Sequence, residues 1–166
     1  MGVYFNEELI TNKEGTNFII DRVEKYSSLT ETYVMAQYRK KSDVYFIKYN
    51  HEKEAQIFVG DCDTCGWGLT KTQYENATWG DILYLGLHLG VVPDYIYNNK
   101  SISSIDVVEG NTELVNHVTW IDNNINVIND NPWTYSPSKT YDIIICDLWA
   151  MPDDITQDNK TALINN

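Results

Sequence analysis

The sequence predicts an α/β fold, a parallel sheet wound through strand–helix–strand units behind a small antiparallel β region. Three observations carry this reading. Beyond residue 79, four short apolar stretches alternate with segments of helical spacing, the pattern of consecutive βαβ units. Residues 1–75 instead run as strands broken by short polar turns. The chain of 166 residues is 43% hydrophobic and 22% charged, which is apolar enough to bury a core.

In the first part, residues 29–38 are rich in β-formers and residues 40–43 read as a turn. Residues 44–49 alternate, 51–54 form another turn, and 55–59 another short strand. Residues 60–68 hold three glycines and two aspartates and read as a loop. Residues 16–26 fit two descriptions. Phe18, Ile19, Arg22, Val23 and Tyr26 share a helical face, while residues 18–23 also fit a strand. In the second part, residues 81–85 form an apolar strand followed by Gly86 and Gly90. A helix is predicted from Val91, with Pro93 in its first turn, where the missing N–H costs little. Residues 104–108 form the next strand, and Asn111 is a good N-cap. Leu114, Val115, Val118 and Ile121 then make one apolar stripe at helical spacing. Residues 125–128 form a third strand. Residues 141–146 form a fourth, apolar enough for burial on both faces, and 153–163 a last helix. The change of rhythm divides a β-rich region, 1–78, from a parallel-sheet domain, 79–166.

Charge narrows the function. With 24 acidic against 12 basic side chains the net charge is -12. That is unsuited to neutralising phosphates, so neither nucleic acid nor an anionic membrane surface is an expected partner. No apolar run approaches the ~20 residues that span a bilayer. No basic stretch leads into an apolar one at the N-terminus. Three cysteines, an odd and sparse set, suit a reducing compartment, and a cytoplasmic location is the expectation.

Several residues could carry chemistry. Glycines at a strand-to-helix turn let backbone approach a ligand, and Gly86 and Gly90 occupy that place. Close helix packing explains two such glycines equally well. Glu109 ends the next strand, where a carboxylate can accept from both hydroxyls of a ribose. Asp130 and Asp147 follow the third and fourth strands, so all these positions should line the carboxyl edge of one sheet. Taken singly, each acid also suits a helix cap or a turn. His88 lies in the loop as a candidate acid/base or ligand contact, or as a packed loop residue. Trp149, beside Asp147, is a candidate pocket wall among the flanking aromatics Trp67, Tyr74, Trp79 and Trp133. Cys62 and Cys65 form a lone CxxC with no second ligand pair, and no metal is expected. His117 falls on the predicted helix as a surface or half-buried residue.

In order and spacing, residues 80–150 resemble spermidine synthases and related class I S-adenosylmethionine (SAM) transferases. Tyr84-Leu85-Gly86-Leu87-His88-Leu89-Gly90-Val91-Val92-Pro93 resembles their glycine loop. Ser104-Ile105-Asp106-Val107-Val108-Glu109 resembles their second strand, whose terminal acid binds ribose. Val127-Ile128-Asn129-Asp130 resembles the segment with an adenine-recognising Asp. Residues 141–149 resemble the fourth strand, whose end carries the active-site Asp of aminopropyltransferases. The strands before residue 78 resemble, more faintly, the small β-domain of spermidine synthases. The chain departs from the pattern where Tyr84 replaces an acid and His88 replaces the middle glycine. Of the family's acidic gate only Asp147 carries over, within Asp147-Leu148-Trp149-Ala150-Met151-Pro152.

The resemblance implies a Rossmann-like sheet of the class I SAM-transferase type, truncated at its C-terminus. It implies SAM or decarboxylated SAM as donor, held by Gly86, His88, Gly90, Glu109, Asp130 and Trp149. Asp147 would be the catalytic base or the carboxylate that orients an amine. The reaction would move an aminopropyl or methyl group to a small acceptor, and the acidity suits a cationic one such as a polyamine. Cleavage of SAM without an acceptor is a third reading. The contrasting one is a catalytically degenerate member acting as a binding or structural module, suggested by the altered loop and the missing strands. The last strand needs cover, most simply from another copy, so a homo-oligomer is expected.

Overall fold

The computed structural model describes residues 10–26, 32–41, 47–52, 76–98 and 101–148. They form two four-stranded sheets and two short helices. The first sheet is antiparallel, in the order β1 (Lys13–Glu14), β2 (Phe18–Tyr26), β3 (Thr32–Lys40), β4 (Ile47–Glu52). Residues 18–26, open between helix and strand in the sequence, are strand, because Phe18 and Ile20 alternate into the core at period two. Pairing with β3 fixes the choice, with Ile20 opposite Tyr38 and Phe18 opposite Lys40. Residues 51 and 52, expected in a turn, continue β4. Thr32 pairs with Glu52 and Tyr33 with His51, so ladder pairing overrides the local turn preference of charged residues. The expected strand at 55–59, the 60–68 loop with Cys62 and Cys65, and the helix at 153–163 lie outside the described residues.

The second sheet is parallel throughout. Its strands are β5 (Gly80–Leu85), β6 (Ile102–Glu109), β7 (Asn126–Asn129) and β8 (Ile143–Cys146), in spatial order β7-β6-β5-β8. The chain therefore moves one way from β5 through β6 to β7, then returns across the sheet to place β8 on the other flank of β5. Helix α1 (Val91–Tyr97) follows β5 and helix α2 (Thr112–His117) follows β6. Pro93 sits in the first turn of α1, as its sequence position predicts. The Asn111 side chain caps α2 by accepting from the Glu113 and Leu114 N–H groups at 3.0 and 3.2 Å. The apolar stripe after Asn111 does pack into the core, with Leu114 and Val118 buried and Val115 and Ile121 against them. Its helix is shorter than the stripe and closes at His117.

The two faces of the parallel sheet are covered differently. Ile82, Tyr84, Ile105 and Val107 share one face with α1, α2 and the loop residues Leu87 and Leu89. Ile10, Phe18, Ile20 and Tyr38 join that same core, so the antiparallel sheet packs against the parallel one. Polar contacts pin the docking: Lys13 lies 3.4 Å from Glu113, the Thr16 N–H donates to Glu113 at 2.8 Å, and His117 Nε2 lies 3.1 Å from the Thr11 carbonyl oxygen.

The other face buries Leu83, Leu85 and Val108, with Tyr135 and Tyr141 over them. Residues 130–142 cross it without a helix. A polar network takes the helix's place. Buried Asp106 accepts from Tyr141 Oη at 2.6 Å and from Asn126 Nδ2 at 3.0 Å, and pairs with Lys139 at 3.0 Å. The Lys139 ammonium also lies 4.9 Å from the Tyr141 ring centroid. β8 corrects the expectation of a strand buried on both faces. Among the described residues it pairs only with β5, and Ile144 is 62% exposed.

Two outcomes follow from this packing. Gly90 has φ 72°, and a Cβ there would lie 2.5 Å from Ile121 Cγ2 and 2.9 Å from Val118 Cγ1. Left-handed strain and overpacking add, so Gly90→Ala should cost about 3 kcal/mol in urea unfolding. Burial opposes ionisation of Asp106, but Tyr141, Asn126 and Lys139 outweigh it and hold its carboxyl below the ordinary 3.8. A carboxylate depressed in the folded state stabilises above its unfolded value and loses that contribution as pH falls through its folded value. Stability should therefore decline as pH drops below 3.8, and Asp106→Asn should flatten that part of a pH–stability profile.

Candidate functional site

The site is built where β5 parts from its two neighbours. Parallel strands leave their C-terminal ends open to a ligand where the connections run to opposite sides, and β5 lies at that point between β6 and β8. Gly86 continues both ladders. Its N–H donates to the Val108 carbonyl at 2.9 Å, and the Asp147 N–H donates to the Leu85 carbonyl at 2.9 Å. Gly86 has φ 101°, and a Cβ there would collide with the Asp147 carbonyl oxygen. Both loop glycines are thus required by packing: Gly86 against β8, Gly90 against Val118 and Ile121. The turn is closed by the Gly90 N–H donating to the Leu87 carbonyl at 2.8 Å and by Trp120 Nε1 donating to the Leu89 carbonyl at 2.8 Å.

Glu109 stands at the end of β6 beside this loop. One carboxylate oxygen accepts from the Leu87 N–H at 3.1 Å and the other from the Asn111 N–H at 2.8 Å. The carboxylate thereby ties the glycine loop to the start of α2. Each oxygen retains lone-pair capacity for a hydroxyl donor, since an ionised carboxylate offers about four acceptor sites.

On the other flank, Asp147 follows β8. Its Oδ2 accepts from Tyr84 Oη at 2.7 Å and lies 3.5 Å from His88 Nδ1. Tyr84 is 1% exposed and His88 7%, whereas the Asp147 side chain is 31% exposed and forms the solvent-facing end of the group. His88 in turn stacks on Tyr38, with ring centroids 5.2 Å apart and planes at 24°. Burial works against ionisation of Asp147, yet attraction to a protonated His88 and the hydrogen bonds from His88 and Tyr84 outweigh it, and its carboxyl is held below the usual carboxylate value. The neighbouring Cys146 thiol is pushed up to about 12 by burial and by Asp147, so it is protonated and unreactive at neutral pH.

Gly86, Glu109 and Asp147 stand at one edge of the parallel sheet, with His88 and Gly90 in the loop that leaves it. Asp130 also lies at that edge, after β7, but its side chain is exposed and accepts from the adjacent Asn131 N–H at 2.7 Å. Trp149 lies outside the described residues. Trp79 is 55% exposed and precedes β5, at the opposite end of that strand from the loop. Two contributors owe their roles to tertiary contacts. The sequence marks Tyr84 only as a departure from the glycine-loop pattern, and its hydroxyl reaches Asp147. Tyr38 belongs to the antiparallel sheet, and no spacing rule links it to the loop. Among the described residues, no group of three His, Cys, Asp or Glu side chains is placed to hold a metal ion.

No protein-family model matches the chain, and no curated protein matches it either.

Tyr84→Phe isolates the hydroxyl that fixes Asp147. It should cost about 1 kcal/mol in thermal or urea unfolding, the usual worth of one such bond. It should also raise the midpoint at which the Asp147 carboxyl titrates in carbon-detected NMR.

Proposed function

We propose that this chain binds an adenosyl donor, SAM or decarboxylated SAM, at the carboxyl edge of its Rossmann-like parallel sheet and transfers a group from it to a small cationic acceptor. The observation that carries the proposal is the placement of Glu109 and Asp147 on either side of Gly86, where the strand order reverses. The sequence resemblance of residues 80–150 to the class I transferases supports the same reading.

The residues fit a nucleoside in one respect. Glu109 already orders the loop through two N–H groups and retains acceptor sites for a ribose diol. The donor supplies a sulfonium that makes its attached carbon electrophilic. The protein's share is alignment. Asp147 suits the orienting role better than that of a base. A carboxyl held below its usual value is a weak proton acceptor at neutral pH but keeps its charge to hold an ammonium. Tyr84 and His88 fix the direction in which that charge points.

A second reading is favoured by the same contacts. Tyr84 and His88 occupy the Asp147 carboxylate from within, and neither loop glycine is spare. A fold that had lost transfer chemistry and serves as a binding or structural module would tolerate this arrangement.

Thermal denaturation with SAM, decarboxylated SAM and methylthioadenosine separates the readings. Saturation at about 100 times the dissociation constant should stabilise the protein by about 2.7 kcal/mol. No shift with any of the three at millimolar concentration would overturn nucleoside binding. Glu109→Ala and the shape-preserving Glu109→Gln should both weaken binding while the far-ultraviolet spectrum stays native. Asp147→Asn should keep nucleoside binding and lose turnover.

A further inference from the structure

The His88 backbone lies in the left-handed region, at φ 48°, the one such non-glycine among the described residues. A side chain held there is strained, and such strain persists only where the surroundings over-determine it. Two side chains meet the imidazole: the Asp147 carboxylate, 3.5 Å from Nδ1, and the Tyr38 ring, stacked on its face with centroids 5.2 Å apart. Tyr38 is itself fixed. It is 3% exposed, lies opposite Ile20 across the β2–β3 ladder, and stacks on Phe18 with centroids 6.1 Å apart. Ring on ring sets the plane of the imidazole, and the plane decides whether Nδ1 meets the carboxylate.

We infer that Tyr38 is a positioning residue of the site: through it the antiparallel sheet holds His88 so that Nδ1 faces Asp147. A protonated His88 then gains a charge partner at Nδ1 and an aromatic ring against its face. The functional meaning of this device rests on Asp147 being the working carboxylate. Its existence does not, and it can be measured without any ligand.

The test is an NMR pH titration that follows the His88 imidazole and the Asp147 carboxyl. Tyr38→Leu should leave the amide spectrum native while moving both midpoints: His88 releases its proton at lower pH and Asp147 at higher pH than in the unsubstituted protein. Tyr38→Phe keeps the stacked ring and should restore both. A native Tyr38→Leu protein with both midpoints unchanged overturns the inference. Should Tyr38→Leu fail to fold, the unsubstituted protein and Asp147→Asn decide together. The Tyr38 ring signals must shift with the His88 midpoint, and Asp147→Asn must move that midpoint downward. Ring signals indifferent to His88 protonation overturn the inference as well. Adenosyl compounds that leave the melting temperature unchanged would count against the proposed transferase and leave the titration result standing.

Discussion

The close approach of β5 and β8 at Gly86 governs the remainder of the molecule. Because Gly86 has no side chain, the chain beyond β8 can run against it and donate the Asp147 N–H to Leu85. The same residue keeps its own N–H on Val108, so one peptide joins three strands at their ends. Glu109 and Asp147 flank the loop for that reason, and the loop can turn back over Tyr84 and present His88 inward.

The parallel sheet also shows how a crossover can do without a helix. A bare loop over a sheet face leaves polar backbone and apolar strand residues to be reconciled. Here Tyr135 and Tyr141 supply the apolar cover, while Asp106, buried on the strand, receives the Tyr141 hydroxyl, the Asn126 amide and the Lys139 ammonium. Removing one partner from such a network leaves a desolvated charge, so it specifies the path of residues 130–142 more sharply than apolar contact alone would.

The antiparallel sheet is tied to the same centre. Its β1–β2 end meets α2 through Glu113 and His117, and its third strand meets the glycine loop through Tyr38. Asp147 therefore has its charge environment set by elements from three parts of the chain: Tyr84 on β5, His88 in the loop, and Tyr38 behind His88.

The sequence by itself determined the parallel strands, Pro93 in the first turn of α1, the Asn111 cap and the edge on which Gly86, Glu109 and Asp147 stand. These follow from local periodicity, capping chemistry and the rule that parallel strands expose their carboxyl ends. It left residues 18–26 open because Phe18, Ile19 and Val23 satisfy both periods, and only the pairing with β3 breaks the tie. It placed a turn at residues 51–52 because ladder bonds from Thr32 and Tyr33 are non-local. It expected burial of both faces at residues 141–146 because an apolar run does not reveal which neighbours a strand finds, and Ile144 found none on its open face among the described residues. Tertiary structure alone decided the contents of the site. Tyr84 read only as a departure from the glycine-loop pattern and Tyr38 as one residue of a run of β-formers. Their roles come from distances across elements far apart in the chain, which no pattern within a single element encodes.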